Sequence, residues 1–436
     1  MSQCLESWGR YPKATPAKVT RLTDRNAPLP QSDLPLLVFG NGRSYGDVCL
    51  NDGGHLLLGR GLDRFIAFDA EKGILRAEAG VLLSEILDLI VPKGWFLPVT
   101  PGTRFVTLGG AVANDVHGKN HHRAGTFGHH VRAFELVRSD GSRRRCSPTE
   151  NPDWFAATIG GLGLTGLITW VEIQLRAITG PWIQAESRRF ANLSEFFVLS
   201  AAADREHEFT VAWVDCAASG KNLGRGILLS GDFAPAAAGS GKRPKAHGLL
   251  NVPFTPPVSL INSLSLRVFN ALYYRKPEGR FLTHYEPFFY PLDAIGHWNR
   301  IYGPKGFLPY QCVLPPQVAE PALSELLTRI AKSGQGSFLA VLKRFGDKPA
   351  VGMLSFPRPG VTVALDFPIV GDKTLRLLDG LDELVVEAGG ALYPAKDARM
   401  STVICSLSFH ELKIASSFFD TKFSSLLLIR VVQSLQ

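Results

Sequence analysis

The sequence has no long apolar run and few cysteines. None of its stretches approaches the ~18 to 20 apolar residues needed to cross a bilayer, and its first residues, MSQCLESWGRYPK, lack the apolar core of a secretory leader. The six cysteines are scattered without a CxxC pair, which excludes a zinc knuckle and a dithiol redox motif. These absences predict a protein of the reducing cytoplasm without a transmembrane helix.

The composition is that of a globular protein. With 436 residues, of which 45% are hydrophobic and 20% charged, the chain is too apolar to be disordered. At roughly 100 to 200 residues per domain, this length predicts two or three domains. The net charge of +8 favours anionic partners such as phosphates, anionic lipids or nucleic acid. We expect no nucleic-acid partner, because outside residues 251–291 no stripe combines clustered cations with aromatics.

Residues 34–175 alternate between short β-like runs and helical periodicity, with glycine at most of the junctions. This pattern is typical of an α+β domain. Four elements are predicted with particular clarity: a strand at 36–39, a helix over 82–90 that Pro92 and Gly94 end, a hairpin around Asp140 and Gly141, and a strand at 167–175.

The composition changes after residue 230. Residues 231–248 are rich in Gly and Ala and predict a flexible loop. Residues 251–291 alternate Phe, Tyr, Leu and Pro with the cations Arg267, Arg275, Lys276 and Arg280. We favour irregular loops with a solvated basic rim; the alternative is a mobile lid that meets a lipid-bearing anion.

The first motif that could carry chemistry is GNGRSYGD at residues 40–47, directly after the predicted strand. Its three glycines allow backbone N–H groups to converge on an anion, so it is a candidate phosphate cradle. It is not a dinucleotide fingerprint, because the glycines fall as GxGxxxG and no good helix follows. A glycine-rich turn without a ligand is the alternative.

The second motif, at residues 101–131, combines the small-residue run GGAVA with five histidines. Small residues let a flat ring or a pyrophosphate approach the backbone, and Thr107 is placed to cap a short helix beside it. His117 lies in a crowded turn that favours a ligand contact. Structural hydrogen bonds are the simpler role for His121, His122, His129 and His130. We expect no metal, because no HxxxH pair lies on a helix and no cysteine or carboxylate pair is near.

These two motifs and a third turn, GGLGLTG at 160–166, resemble the vanillyl-alcohol-oxidase-type FAD-binding oxidoreductases in order and spacing. Four further stretches are similar to the branch of that family that oxidises polyprenylphosphoryl ribose: HGKNHH, WGR at 8–10, YPLDAIGHWNRIYGPKGFLPYQ at 290–311 and LYPAKDAR at 392–399. The resemblance implies an α+β fold with a two-part FAD-binding domain and an inserted antiparallel-sheet substrate domain. It places the FAD domain at 1–180 and 391–436, and the substrate domain, with flexible loops around 231–290, at 181–390.

The resemblance also implies which residues contact FAD. By motif position these are Gly40, Asn41, Gly42, Arg43, Ser44, Tyr45, Gly46, Asp47, Gly102, Thr107, Leu108, Gly109, Gly110, His117, Gly118, Lys119, Asn120, Ile168 and Tyr393. Relatives that bind FAD covalently usually have a histidine at the position of Arg43, and an arginine cannot form that bond. We therefore expect dissociable FAD.

The resemblance assigns catalysis to Lys396 and His117, and substrate binding to Lys343, Gln311, Trp213 and Lys396. A lysine that is desolvated beside the flavin can have its pKa lowered toward neutrality. The strand-like spacing before Lys343 also predicts an inward side chain, for which a substrate phosphate is a suitable partner. Four positions depart from the family pattern: Phe289 stands for a tyrosine, Pro309 for a glutamine, Thr362 for an asparagine and Ala364 for the cysteine of mycobacterial relatives.

The activity that the resemblance implies is FAD-dependent oxidation of the 2-hydroxyl of a polyprenylphosphoryl-D-ribose to the 2-keto sugar. This is the first half of epimerisation to the arabinose form for a cell-envelope polysaccharide, and an NAD(P)H-dependent short-chain reductase would complete it. The alternative is a soluble alditol or aldonolactone oxidase using FAD, against which Arg43 and Lys343 count. The cytoplasm is the expected location; peripheral membrane association and the periplasm stay open, since some family members are periplasmic without a leader.

Overall fold

The computed structural model describes residues 5–236 and 250–432. The first part of the chain contributes ten strands: β1 (Lys18–Arg21), β2 (Leu36–Phe39), β3 (His55–Leu58), β4 (Phe65–Asp69), β5 (Ile74–Glu78), β6 (Trp95–Phe96), β7 (Val131–Val137), β8 (Arg143–Cys146), β9 (Leu167–Gln174) and β10 (Arg176–Ala177). They form a three-stranded parallel sheet, ordered β1-β3-β2, and a five-stranded antiparallel sheet, ordered β4-β5-β9-β7-β8. The short strands β6 and β10 pair separately.

Four short helices lie among these strands: α1 (Leu83–Ile90), α2 (Leu108–Ala113), α3 (His121–Ala124) and α4 (Pro152–Thr158). In α1 the apolar residues Leu83, Ile86, Leu87 and Ile90 recur at helical spacing and form one face of the helix. All four are buried. The same core contains residues from β5, β7 and β9. Burial of this apolar stripe therefore fixes α1 against the five-stranded sheet.

The second part of the chain is built around a large antiparallel sheet. Its strands and two short neighbours are β11 (Trp182–Phe190), β12 (Phe209–Val214), β13 (Gly226–Phe233), β14 (Leu250–Asn251), β15 (Gly279–His284), β16 (Ile295–Gly296), β17 (Phe307–Leu314), β18 (Val341–Phe345), β19 (Gly360–Pro368) and β20 (Ala391–Leu392). Eight of them form one sheet in the order β15-β11-β13-β12-β18-β19-β17-β20, while β14 pairs with β16.

The two faces of this sheet have different surroundings, because successive side chains of a strand point to opposite faces. On β17 and β19 one set of alternate residues belongs to the main hydrophobic core, which also contains residues from the helices of this part of the chain. These strand residues are Leu308, Tyr310, Cys312, Leu314, Val361, Val363, Leu365 and Phe367. The intervening residues, among them Gln311, Ala364 and Asp366, line a cavity.

The helices of this part and of the C-terminal segment are α5 (Leu193–Glu206), α6 (Ser263–Tyr274), α7 (Tyr285–Phe289), α8 (Ala319–Ser333), α9 (Asp372–Glu387), α10 (Thr402–Ser408), α11 (Leu412–Ser416) and α12 (Leu426–Val432). The C-terminal segment touches both parts of the molecule. β20 pairs with β17, whereas Phe423 bridges to Leu36 of β2 and Arg430 pairs with Asp47 at 2.9 Å. The domain limits at 180 and 390 stay a prediction.

The four predicted elements are confirmed. A strand occupies Leu36–Phe39, α1 is followed by a 3₁₀ turn and by Gly94 in the left-handed conformation, and β7, β8 and β9 lie as expected. The prediction of irregular loops across 251–291 is wrong for α6 and β15. Asn262 caps α6, and the helical spacing was obscured by apolar residues on more than one side of the helix. Residues 237–249 of the predicted flexible loop lie outside the described residues.

The described helices were also compared with the length of a membrane span. None within residues 5–236 and 250–432 is both long enough and apolar enough to cross a bilayer.

Candidate active site

A cavity of about 930 Å³ lies between the two parts of the molecule. One side, which we call the loop wall, is formed by segments 40–47 and 100–119; residues 40–45 and most of 100–119 line the cavity. The opposite side, the sheet wall, consists of inward side chains from β12, β17, β18 and β19. Lys396 and Tyr393 of the C-terminal segment lie between the two walls. The volume is within the range that holds a cofactor and a substrate.

The loop at 40–47 is fixed by backbone contacts. Gly42 has a φ of 60°, a left-handed conformation that glycine adopts without strain. The amide N–H groups of Tyr45 and Asp47 donate to the carbonyl oxygens of Ala395 and Asp397 at 3.2 Å each. At Gly46 the two backbones are so close that a Cβ would overlap the Asp397 carbonyl oxygen. The loop and the Lys396 segment are therefore held in one register.

The second part of the loop wall is closely packed. The Thr107 hydroxyl accepts a hydrogen bond from the N–H of Gly110 at 3.2 Å, which confirms the predicted cap of α2. A Cβ on Gly109 would lie 2.8 Å from the Cβ of Ala79, so only glycine fits there. A Cβ on Gly102 would meet nothing within 4 Å, because this residue faces open space. At these glycines the wall thus presents backbone rather than side chains to the cavity.

Most of the predicted FAD contacts line this cavity. They are Gly40, Asn41, Gly42, Arg43, Ser44, Tyr45, Gly102, Thr107, Gly109, Gly110, His117, Gly118, Lys119, Ile168 and Tyr393. The other four predicted contacts are not among the lining residues. Gly46 packs on Asp397, Asp47 pairs with Arg430, Leu108 is in the core, and Asn120 donates to the carbonyl oxygen of Pro98 at 2.9 Å. These four residues contact other parts of the protein and support the loop wall on the side away from the cavity.

Arg43 is the charged residue of the loop at 40–47 that faces the cavity. Its guanidinium carbon lies 4.0 Å from the centre of the Trp8 ring and 5.3 Å from that of Phe105. Burial lowers the pKa of Arg43, against the attraction of Asp293 and Tyr45. Its buried Nε has no hydrogen-bond partner among the described residues. An anionic group bound in the cavity would satisfy this donor.

The charges around the cavity are strongly unequal. The lining residues include one carboxylate, Asp366, and five cations, which are Arg43, Lys119, Lys276, Lys343 and Lys396. Burial lowers the pKa of Lys343 well below its ordinary value, and nearby Lys119 and Lys396 lower it further. Burial lowers the pKa of Lys119 to about 8. A bound anion is the natural counter-charge for such a cluster.

His117 of the loop wall belongs to a short polar network that reaches across to the sheet wall. Its Nε2 lies 3.2 Å from the side-chain amide nitrogen of Gln311, which also donates to the Thr362 hydroxyl at 3.1 Å. Burial, and then the positive charge of Lys343, keep the pKa of His117 well below its ordinary value. His117 is therefore neutral and accepts from Gln311. Thr362, at a position that departs from the family pattern, completes this network.

Lys396 ends a 3₁₀ turn, Pro394–Lys396, beside the loop wall. Its Nζ lies 5.0 Å from the centre of the Tyr45 ring. Burial lowers the pKa of Lys396, and the Asp366 carboxylate partly opposes this. Burial raises the pKa of Asp366 to about 7, against the effect of Lys396. An amine with a lowered pKa in a mostly buried site is suited to accept a proton.

Asp366 was missed by the sequence reasoning. The signal was present, since β19 reads GVTVALDFP and Asp366 shares the face of Thr362 and Ala364 by strand alternation. A carboxylate on the polar face of a strand whose other face is apolar indicates a site residue.

The remaining histidines make structural hydrogen bonds, as predicted. His121 Nδ1 accepts from the N–H of Gly346 at 3.1 Å, and His122 Nε2 lies 3.1 Å from the carbonyl oxygen of His207. The rings of His129 and His130 contact the carbonyl oxygens of Pro349 and Ala124 at 2.9 and 3.0 Å.

Aromatic side chains line a further part of the cavity. The indole N–H of Trp213 donates to the carbonyl oxygen of Phe338 at 2.9 Å, and its ring lies 4.6 Å from that of Tyr273 on α6. Phe289, where the family has a tyrosine, packs 4.8 Å from the Phe209 ring and 5.3 Å from the Phe96 ring. This apolar surrounding suits a phenyl ring without a hydroxyl.

The residues present fit FAD. Glycines of the loop wall leave the backbone accessible to a flat ring, and the unpartnered Nε of Arg43 is placed for an anionic group. Gly40, Arg43, Gly110 and Tyr393 are among those that would hold it.

Comparisons with known proteins agree with this fit. The FAD binding domain family matches residues 14–147. A decaprenylphosphoryl-beta-D-ribose oxidase from Mycolicibacterium smegmatis is 37% identical over 375 residues, which are 84% of this chain and 81% of that protein. An uncharacterized protein in the mprA 5′ region of Streptomyces coelicolor is 34% identical over 336 residues, 73% of this chain and 90% of that protein. The L-gulonolactone oxidase of Mus musculus is 31% identical over 146 residues, covering 33% of this chain and 32% of that protein.

Proposed function

Because the chain belongs to the decaprenylphosphoryl-ribose oxidase family of vanillyl-alcohol-oxidase-type flavoproteins, we propose that it oxidises the 2-hydroxyl of a polyprenylphosphoryl-D-ribose to the 2-keto sugar. The chain is an FAD-dependent oxidoreductase that acts on a CH–OH group. The proposal concerns the particular substrate and the roles of the residues around it.

The observation that carries the proposal is the unequal charge of the cavity. Five basic side chains and one carboxylate line it, and no carboxylate opposes the lowering of the pKa values of Lys343 and Lys119. A neutral sugar would leave these cations without a counter-charge, whereas a phosphoryl sugar supplies one. Lys343 is the residue that we assign to the phosphate.

The chain's own residues position the sugar and hold the proton. Bound FAD would supply a hydride acceptor for the carbon that carries the reacting hydroxyl. Lys396 accepts the hydroxyl proton at Nζ, for which its lowered pKa suits it. His117 from the loop wall and Gln311 from the sheet wall hydrogen-bond sugar hydroxyls, and Trp213 provides an apolar face for the ring.

The product of this step is a ketone, which a second enzyme must reduce to give an epimer. We infer an NAD(P)H-dependent short-chain reductase as that partner, with the arabinose form destined for a cell-envelope polysaccharide. The polyprenyl chain of the substrate lies in a membrane, so the enzyme works there as a peripheral protein. Its location is the cytoplasm, with the periplasm as the alternative.

An absorbance experiment tests the proposal. The purified protein is precipitated with acid, which releases dissociable FAD into the supernatant because Arg43 cannot tether it. The intact protein is then mixed anaerobically with farnesylphosphoryl ribose, and bleaching of the flavin band is followed. Bleaching by this substrate is the expected result. Bleaching only by free alditols or aldonolactones would replace the proposal with the alternative oxidase, and a chain that takes up no FAD would contradict both.

A further inference from the structure

Helix α6 exposes apolar side chains to the outside. Leu264, Val268 and Leu272 recur every four residues and so share one face, and they are 72%, 52% and 63% exposed. A surface helix ordinarily presents polar residues on its outer face. The outer face of α6 is therefore built for an apolar contact.

This face belongs to a concentrated region. Among the described residues, ten of the eighteen exposed large apolar side chains lie between positions 250 and 295. Phe281 of β15 and Ile295 of β16 belong to this group and also line the cavity. The rest are distributed over the remaining described chain. Such clustering marks an interaction surface rather than ordinary scatter.

The exposed charged residues between positions 250 and 295 are almost all basic. Arg267, Arg275, Lys276 and Arg280 are exposed, and Glu278 is the one exposed acidic residue. The other two acidic residues, Glu286 and Asp293, are half-buried and bond to Arg104. Glu278 is itself paired with Arg189 at 2.8 Å, and Arg280 lies 3.4 Å from Glu186. Exposed apolar side chains edged by cations are complementary to an anionic lipid surface.

The inner side of α6 leads into the cavity. Phe269 and Tyr273 line the cavity, and Lys276, just after the helix, lies over the Tyr273 ring at 3.8 Å. Asn270 anchors the helix by donating to Asp215 at 2.6 Å. The helix thus separates the cavity from the outside with apolar residues on both sides.

We propose that the outer face of α6, with Phe281 and Ile295, docks on an anionic bilayer. The polyprenyl chain then passes from the bilayer into the cavity beside Phe269 and Tyr273, a step that rests on the proposed function. A symmetric contact with a second copy is less suitable, because it would place Arg267 and Arg275 against the same cations of the partner.

Sedimentation with vesicles tests the docking. The FAD-loaded chain is mixed with vesicles of phosphatidylcholine alone or with added phosphatidylglycerol. We expect binding that rises with phosphatidylglycerol and falls with salt. The double variant Leu264→Asp, Leu272→Asp should bind at least about tenfold less, since two apolar side chains no longer enter the interface. Val198→Asp, at an apolar position of α5 with 70% exposure, is the matched control and should bind like the unaltered chain.

Two outcomes would overturn the proposal. One is equal or absent binding to both kinds of vesicle, and the other is a self-associated species in light scattering that the double variant abolishes. Anaerobic bleaching by farnesylphosphoryl ribose without vesicles is measured on the same proteins and should not change in the double variant. If no protein bleaches, the proposed function fails while the sedimentation result still decides the docking.

Discussion

The two walls of the cavity are constructed in different ways. The loop wall presents backbone, with glycines packed so closely at positions 46 and 109 that a side chain would displace a neighbour. The sheet wall presents side chains at alternate positions of strands whose other face is in the core. Side chains on such strands can change one at a time without altering the fold, and the departures Thr362 and Ala364 lie there on β19. We therefore infer that cofactor binding depends on the backbone conformation of the loop wall, and that substrate choice depends on the exchangeable side chains of the sheet wall.

The segment that carries Lys396 connects the two walls. Its strand β20 pairs with β17 of the sheet wall, while Ala395 and Asp397 accept hydrogen bonds from the loop wall. Lys396 is thus held relative to both the cofactor side and the substrate side.

The largest effect is expected at this junction. Lys396→Met removes the proton acceptor, so the anaerobic bleaching rate with farnesylphosphoryl ribose should fall about 10²- to 10⁴-fold while FAD stays bound. Stopped-flow absorbance measures the rate, and the flavin-to-protein absorbance ratio measures the FAD. Lys422→Met, at an exposed position, is the control. A rate within tenfold of the unaltered chain would contradict the assigned role.

A change in the loop wall should affect the whole site. In Gly46→Ala the added methyl group overlaps the Asp397 carbonyl oxygen, so the loop and the Lys396 segment must separate. We expect a loss of about 1–3 kcal/mol in the free energy of unfolding and a weaker hold on FAD. Denaturant unfolding and flavin content measure both. Gly180→Ala, where a Cβ meets nothing within 4 Å, should change neither; unaltered stability at position 46 would show that the wall is more adaptable than its packing indicates.

A change in the sheet wall should act on the substrate alone. Lys343→Met removes the cation assigned to the phosphate, and we expect KM for the phosphoryl sugar to rise about ten- to hundredfold with a small change in kcat. FAD content and stability should stay the same. The exposed Lys348→Met variant is the control from the loop after the same strand. A lowered kcat at constant KM would assign Lys343 to the chemical step instead.

The smallest effect is a change in pH dependence. Burial raises the pKa of Asp366 from 3.8 to about 7, so between these values the folded chain binds a proton that the unfolded chain has lost. This contribution to stability is greatest at low pH and is lost as pH rises to about 7. The asparagine in Asp366→Asn does not titrate, so the variant does not lose stability in this way. The Tm of the variant minus the Tm of the unaltered chain should therefore grow from pH 5 to pH 7 and then level off. An advantage that is constant with pH would contradict a buried carboxyl; Asp372→Asn, exposed at the start of α9, controls for net charge.

Much of the fold could be predicted because local patterns agreed with it. Leu36–Phe39 is a short apolar strand, and the stripe of α1 has a single buried face. Helix α6 could not be predicted in the same way, because its apolar residues lie on two sides and hide the usual periodicity.

The loop wall was predicted better than the sheet wall for a similar reason. Glycine spacing in GNGRSYGD marks a backbone conformation that is local in sequence. The side chains of Gln311, Lys343 and Asp366 meet only through the pairing of β17, β18 and β19, which no single stretch reveals. The Asp47 side chain is directed away from the cavity because it pairs with Arg430, which is distant in the sequence.

The pairing of Arg430 with Asp47 joins residues that are 383 positions apart. During translation the glycine loops leave the ribosome early, but Lys396 and Arg430 follow only after the whole eight-stranded sheet has been synthesised. The growing chain therefore has no finished pocket in which to retain its cofactor. We therefore expect stable FAD binding only when synthesis of the chain is nearly complete.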